Sequence, residues 1–245
     1  MTAGRLYKQH ILIVGGSSGM GLALAGRALE AGARITVVGR NPAKLETTLA
    51  QFEHHPNLEV VAADITDEQS VVSMFERLDR LNHIVSTAAD MQRAYGPLAD
   101  LERTALHRVF ASKVFGPWLL AKHGAAKLSD AGSITIVSGI AAYRPLPRGS
   151  IVAPANAALE GLVKALALEL APIRVNAVSP GWVDTPIWED VMGDRKDEAL
   201  QAMAAKLPVG RIGTGDDVAE MLICAMTNGF VTGTVLHCDG GHRLV

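Results

Sequence analysis

Only two cysteines, Cys224 and Cys238, occur in 245 residues. They stand far apart, with no His or Cys at metal-ligand spacing, which argues against a zinc site and a disulfide framework and leaves both as expected buried spectators. Neither sign of charge dominates: 23 Lys and Arg against 25 Asp and Glu, scattered along the chain, give a net charge of −2 and no basic stripe for nucleic acid. Long apolar runs are missing too. The composition is 49% hydrophobic, yet no stretch approaches the roughly 18 apolar residues of a membrane span. The opening segment Met1 to Gln9 is short and polar, without an apolar core or cleavage pattern of a secretory signal, so a soluble, cytoplasmic protein is expected. Repeats, linkers and low-complexity tracts are absent, and a single sheet-based core suits this length. A small-molecule partner is what these absences leave.

What is present is an alternation. Ile11–Val14, Ile35–Val38, Leu58–Val61, His83–Ser86, Ser133–Val137, Arg174–Val178 and Val235–Cys238 read as short β-branched strands. Between them Gly21–Ala31, Pro42–Phe52, Asp67–Arg77, Leu101–Ala121, Val152–Leu170 and Asp216–Met226 read as helices, the third opened by the capping-box pattern Thr66-Asp67-Glu68-Gln69. Such alternation predicts an α/β fold, a doubly wound parallel sheet with helices on both faces. The less regular stretch 182–206, with Trp182 and Trp188, follows a strand's carboxyl end, where such folds place substrate loops.

Strand Ile11–Val14 runs into Gly15-Gly16-Ser17-Ser18-Gly19-Met20-Gly21 and then a helix. Glycines permit the tight turn and let a dinucleotide's pyrophosphate reach backbone N–H groups at the helix N-terminus, where the dipole favours negative charge. Gly15, Ser17, Ser18, Gly19, Met20 and Gly21 are therefore candidate cofactor contacts; the alternative is a plain glycine-rich turn. The second strand ends Val37-Val38-Gly39-Arg40-Asn41, without the acid that an NAD site places there for the 2′-hydroxyl. Arg40 offers instead a guanidinium fork suited to a 2′-phosphate, and Ser17 or Ser18 can add a hydroxyl, so NADP(H) is expected over NAD(H). The other reading leaves Arg40 a solvated surface arginine.

The spacing of Gly15, Gly19 and Gly21 resembles the T-G-x-x-x-G-x-G of the short-chain dehydrogenase/reductase family, with Val14 in the Thr position. Arg174-Val175-Asn176-Ala177-Val178-Ser179-Pro180-Gly181, Thr185, Thr232-Gly233 and Asp239-Gly240-Gly241 resemble further segments of it, so the resemblance spans the chain. It implies one Rossmann-type domain over 1–245 with a seven-stranded parallel sheet. It also implies that Asp64, with Ile65 beside it, meets the adenine, that Ala88 contacts the cofactor, that Pro180-Gly181 walls the nicotinamide pocket and that Thr185 bonds the cofactor's amide or phosphate. The helix Val152–Leu170 is apolar around much of its circumference, as a helix buried on two sides would be. The family's tetramers pair this helix and the one carrying Lys113 across subunits, so a homo-oligomer, tetramer or dimer, is implied; a fully internal helix is the alternative.

The same resemblance exposes a departure. The family works with Asn, Ser, Tyr and Lys: Tyr as general acid/base, Lys lowering its pKa and binding the nicotinamide ribose, Ser orienting the carbonyl, Asn holding a relay water. Ala157-Ala158-Leu159-Glu160-Gly161-Leu162 resembles the segment immediately after the family's Y-x-x-x-K, setting the Lys slot at Asn156 and the Tyr slot at Val152. Ile134 to Gly139 resembles the strand that ends in paired serines, the second falling on Gly139, while Ser138 is expected to face away. Lys113-Val114-Phe115-Gly116 resembles N-x-x-G, so the Asn slot holds Lys113. Hydride transfer to a carbonyl needs a proton donor for the developing alkoxide, and valine and glycine side chains have none to give.

One compensation is visible. The family's Asn on one helix and Lys on the next stand here inverted, as Lys113 and Asn156, and a partly desolvated Lys113 can act as acid or base; the alternative is a space-filler or a side chain reaching solvent. Tyr143, four residues past Gly139, is the candidate phenol, unless it merely packs. The leading expectation is an NADP(H)-dependent oxidoreductase with a non-standard proton donor, acting on a carbonyl, imine or alkene; a cationic iminium would need no acid at all. A cofactor-binding sensor or partner subunit without turnover, and non-redox proton chemistry in the same pocket, are the competing readings.

Overall fold

A computed structural model describes residues 3–245; Met1 and Thr2 of the polar opening segment lie outside them. Seven strands form one wholly parallel sheet in the order β3-β2-β1-β4-β5-β6-β7. They are β1 (His10–Val14), β2 (Arg34–Gly39), β3 (Leu58–Ala62), β4 (Leu81–Ser86), β5 (Leu128–Val137), β6 (Arg174–Pro180) and β7 (Val235–Cys238). Each expected strand is present, and β5 starts five residues early, at Leu128 rather than Ser133.

The strands are apolar on both sides because both faces are covered. Leu12, Ile84, Ile134 and Val175 look toward one core, with α3 (Glu68–Arg77), α5 (Gly116–Gly124) and α6 (Val152–Glu169). Ile11, Ile13, Ile35 and Val85 look toward the other, with α1 (Gly19–Glu30), α2 (Pro42–Gln51) and α9 (Gly215–Thr227). From β1 the chain winds outward to β2 and β3, then returns to β4 on the other side of β1. The loops after β1 and β4 therefore part company, and that topological switch opens a crevice at the carboxyl edge of the sheet.

The helix expected over Leu101–Ala121 is three pieces: α4 (Arg103–Phe110), a π-helical turn at Ala111–Phe115, and α5. Pro117 explains the break. It has no N–H for the Lys113 carbonyl, and its ring crowds that carbonyl, so the turn before it widens. The capping box expected at Thr66 does not form. The Thr66 hydroxyl donates to Asp64 Oδ1 at 2.8 Å, and the helix starts one residue later, with Asp67 accepting from the Ser70 N–H at 3.1 Å. A reciprocal box does form at α9, between Thr214 and Asp217.

Both cysteines depart from the expected burial. Cys224 is exposed, because the buried stripe of α9 runs through Val218, Ala219, Leu222, Ala225 and Met226 and misses it; Cys238 is half-buried. The stretch 182–206 is more regular than expected, carrying α7 (Ile187–Met192) and α8 (Lys196–Ala204), with the Trp182 and Trp188 rings stacked at 4.4 Å. Within one chain α6 is buried on one side only, through Val152, Ala155, Asn156, Leu159, Val163 and Leu166, while Leu168 is 83% exposed. Among the described residues no helix is long and apolar enough to cross a membrane.

Candidate functional site

The crevice is a cavity of about 970 Å³ that runs from the end of β2, across the β1 loop, to α6 and the segment after β6. Its centre is built from backbone. Gly15, with φ +84°, lies so close to the β4 loop that a Cβ there would sit 2.7 Å from Thr87 Oγ1 and 2.8 Å from the Ala88 N. A Cβ on Gly21 would strike the Gly15 carbonyl. The Thr87 hydroxyl lies 3.1 Å from both the Val14 and Gly15 carbonyl oxygens and donates to them, lashing the loop down. Ser18 caps α1 without a side-chain bond to the helix, so the first N–H groups of that helix remain available at the cavity wall. Ser17, Ser18, Gly19 and Met20 line the space, and Gly21 supports them from behind.

At the β2 end the cavity is lined by Arg40, Lys44, Asp64, Ile65 and Ala88, so the residues expected around the adenosine do converge. Asp64 spends one carboxylate oxygen on the Thr66 N–H, at 2.9 Å, and on the Thr66 hydroxyl. Ile65 packs beneath, where a Cβ on Gly116 would lie 2.6 Å from its Cδ1. The end of β2 itself carries no acid, but one reaches Arg40 from the loop after β4: Arg40 Nη2 lies 3.0 Å from Asp90 Oδ2. Lys44 and Asp90 were both missed, the first because it sits on α2 one turn past the strand end, the second because it belongs to the β4 loop.

The inner end gathers the four departed positions. Lys113, 7% exposed, donates from Nζ to the Val137 and Ser138 carbonyls, each at 3.3 Å. Burial pushes its pKa down to about 8. Asn156 faces Gly139: a Cβ on that glycine would lie 3.3 Å from Asn156 Nδ2 and 3.4 Å from Oδ1. Asn156 Oδ1 has no hydrogen-bond partner among the described residues, and neither has the buried Ser138 hydroxyl. Val152, one turn before Asn156 on α6, closes this end with a buried apolar side chain. Lys113 and Asn156 are thus brought to one cavity, with the amine held inside and not in bulk solvent.

Tyr143 is not on the cavity. The short turn Ile140–Ala142 carries it past the mouth, where its ring meets His237 edge-on at 4.8 Å, and burial with the Glu160 carboxylate raises its pKa to about 12. The tyrosine that does line the cavity is Tyr95, on the loop after β4, its pKa raised to about 12 by burial. Thr185 is buried on the far wall, its Cγ2 3.2 Å from where a Gly19 Cβ would stand, and Pro180, Gly181 and Trp188 complete that side. Among the described residues no group of three or more His, Cys, Asp or Glu side chains is placed to hold a metal.

A glycine-built loop running into a helix at the switch point of a parallel, doubly wound sheet is the architecture of nucleotide-binding α/β proteins. Comparison narrows this. Residues 14–243 match the family model described as Enoyl-(Acyl carrier protein) reductase. Short-chain dehydrogenase/reductase malC of Malbranchea aurantiaca is 36% identical over 98% of this chain and 96% of its own length. 2-(S)-hydroxypropyl-CoM dehydrogenase 3 of Xanthobacter autotrophicus is 31% identical over 97% of both chains. Among solved structures, the MalC Reductase/Diels-Alderase from Malbranchea aurantiaca covers all of both chains with a TM-score of 0.91 and 34% identity. A small-chain dehydrogenase in complex with NADPH gives a TM-score of 0.82 at 34% identity, over 97% of this chain and all of its own. The chain belongs to the short-chain dehydrogenase/reductase family of oxidoreductases.

Proposed function

We propose that the protein is an NADP(H)-dependent oxidoreductase whose active site works without the family's tyrosine, serine and lysine. The observation that carries this is the inner end of the cavity, where a buried Lys113 amine and the Asn156 amide share the lining with an apolar Val152. The cradle fits a dinucleotide. Gly15 and Gly21 leave no room for side chains, the α1 N-terminus faces the space, and Arg40 and Lys44 bring positive charge to the adenosine end. When bound there, the nicotinamide supplies hydride chemistry. The chain's own residues divide the rest: Thr185 and Gly181 wall the ring, Asp64 and Ile65 meet the adenine, Ala88 lies against the cofactor and Lys113 holds a proton at Nζ. A relative solved with NADPH supports the cofactor class.

The substrate class follows from what the inner end lacks. An ordinary ketone needs a proton at its oxygen, and neither Val152 nor Gly139 has one to give. A cationic iminium, whose reduction hydride alone completes, suits the site best, while a neutral imine or activated alkene would draw its proton from Lys113; 182–206 forms the substrate wall through Trp188. We assign the two free thiols to a reducing, cytoplasmic setting, and the exposed Phe115 and Trp118, on the helical stretch that carries Lys113, to contact with a second copy in a dimer or tetramer. A second reading, binding without redox turnover, is favoured by the same two positions, since the cradle is whole while the proton donor is gone. MalC, described as both reductase and Diels-Alderase, keeps non-redox chemistry in view as a third.

Calorimetry decides the cofactor. NADPH is expected to bind more tightly than NADH, with Arg40→Ala reducing the ratio by roughly tenfold, the worth of a charge-assisted phosphate contact. Equal affinities, or a ratio unmoved by Arg40→Ala, would reject the NADP(H) assignment.

A further inference from the structure

The ion pair between Arg40 and Asp90 crosses the cavity. Arg40 follows β2 and Asp90 lies in the loop after β4, and β1 runs between those strands. The two side chains therefore reach toward each other across two strand spacings, roughly 9.6 Å, above the point where the glycine loop leaves β1. Both line the crevice that must take the adenosine half of the cofactor.

The two partners are held very differently. Asp90 is anchored. Its backbone N–H donates to the Ser112 hydroxyl at 3.0 Å, that hydroxyl donates to the Arg108 carbonyl at 3.0 Å, and the carboxylate is only 17% exposed. Arg40 is 55% exposed and touches Asp90 through one nitrogen, with no other hydrogen bond among the described residues. A guanidinium has five donors and satisfies a carboxylate with two, so this pair is half-made. An arriving dianion with three acceptor oxygens offers Arg40 a fuller partner, while the fixed carboxylate repels that same dianion.

We propose that Asp90 is a specificity-determining residue that stands in for the cofactor's 2′-phosphate: it holds Arg40 across the cleft and must surrender it when NADP(H) binds. The proposal rests on the cofactor reading above and adds a competitor to it. Asp90 lowers affinity for the phosphorylated cofactor alone, because a ribose bearing only hydroxyls neither recruits Arg40 nor meets the same repulsion. The preference for NADPH is thus set by two residues of opposite sign, and Asp90 narrows what Arg40 creates.

The test titrates NADPH, NADH and adenosine 2′-phosphate into the wild type, Asp90→Asn, Arg40→Ala and the double variant. Asn keeps the shape of Asp, and the Ser112 bond is made by backbone, so the loop should survive; NADH affinity and the melting temperature check that it does, with Asp90→Ala as a second probe. Asp90→Asn should tighten NADPH and adenosine 2′-phosphate roughly three- to tenfold, the scale of a half-exposed charge contact, and leave NADH within about twofold. The gain should vanish in the Arg40→Ala background, and NADPH affinity should fall more steeply with salt in Asp90→Asn, since no internal carboxylate then screens the arginine. Unchanged or weaker NADPH binding by Asp90→Asn, or equal tightening of NADH, overturns the role of Asp90 while leaving an Arg40-dependent preference standing. A ratio insensitive to Arg40→Ala removes the cofactor reading, and this proposal with it.

Discussion

The centre and the inner end of the cleft are built of different material. The centre is made by backbone: Gly15, Gly19 and Gly21 are held by packing so close that a Cβ on Gly15 would meet the Ala88 N at 2.8 Å. The inner end is made by side chains, Lys113, Asn156, Val152 and the space left at Gly139. A backbone cradle tolerates almost no change, because a side chain at Gly15 or Gly21 collides with Thr87, Ala88 or the Gly15 carbonyl. A side-chain site exchanges one residue for another of similar volume without disturbing the fold, and its chemistry can drift while the nucleotide site stays whole. The difference teaches that intact binding and altered catalysis are no contradiction in one cavity.

Breaking the cradle should have the largest effect. Gly21→Val places two methyl groups against the Gly15 carbonyl, so dinucleotide affinity should fall by roughly a hundredfold or more as the loop is pushed off its geometry. Titration of NADPH fluorescence reads this directly, and near-normal affinity would show that the loop is not the cradle.

The inner end should instead accept rebuilding. Lys113→Asn, Gly139→Ser, Val152→Tyr and Asn156→Lys together should create reductase activity toward simple ketones, which the unaltered protein turns over poorly, and no single change should suffice, since a tyrosine without its lysine keeps too high a pKa. Ready reduction of an ordinary ketone by the wild type would contradict the assignment of these positions.

Lys113→Met sharpens the comparison further, because it keeps side-chain length and removes only the amine. If the amine is the acid of the reaction, the wild-type rate should fall as pH rises through about 8, and that limb should disappear in the variant. The charged amine is costlier in the folded state than in the unfolded chain, so Lys113 contributes least to stability below about pH 8, where burying its charge costs on the order of 3 kcal/mol. The variant's melting temperature at pH 7 should therefore not fall. A drop of several degrees would mark the amine as a structural tie.

The opposite edge of the sheet should respond to acid but not to cofactor. His83 is buried between Ser133 Oγ, at 2.8 Å, and Gln9 Oε1, at 2.6 Å, and burial lowers its pKa to about 3. The unfolded chain binds a proton there near pH 6.5 and the folded one only near 3. Stability is thus complete above pH 6.5 and is lost as pH falls toward 3. His83→Gln should flatten that slope in denaturant titrations without changing NADPH affinity at about pH 7.

Sequence revealed the parts governed by local pattern. All seven strands were legible because β-branched runs alternate with helical ones, and the glycine loop because its meaning depends only on the strand before and the helix after. Asp90 and Tyr95 were not, since both lie in the irregular stretch after β4, and what places them is contact with residues far along the chain: Ser112 with Asp90, Gly149 with the Tyr95 ring. Tyr143 takes the packing alternative, because its distance from Gly139 along the chain says nothing about the direction of the Ile140–Ala142 turn. The break in the Lys113 helix was readable in principle from Pro117, whose missing donor demands some adjustment one turn earlier.

The position of β1 also bears on how the chain is made. It lies inside the sheet, third of the seven strands, every residue of it is buried, and its two neighbours are β2 and β4. A ribosome delivers β2 soon after β1, but about seventy residues separate the end of β1 from the end of β4, roughly 4 to 14 seconds at ordinary elongation rates. For that interval the most apolar strand of the molecule is an unpaired sheet edge, the kind of surface on which nascent chains join one another. Slowing elongation before β4 should lower the yield of folded protein, and a chaperone that shields extended apolar segments should restore it.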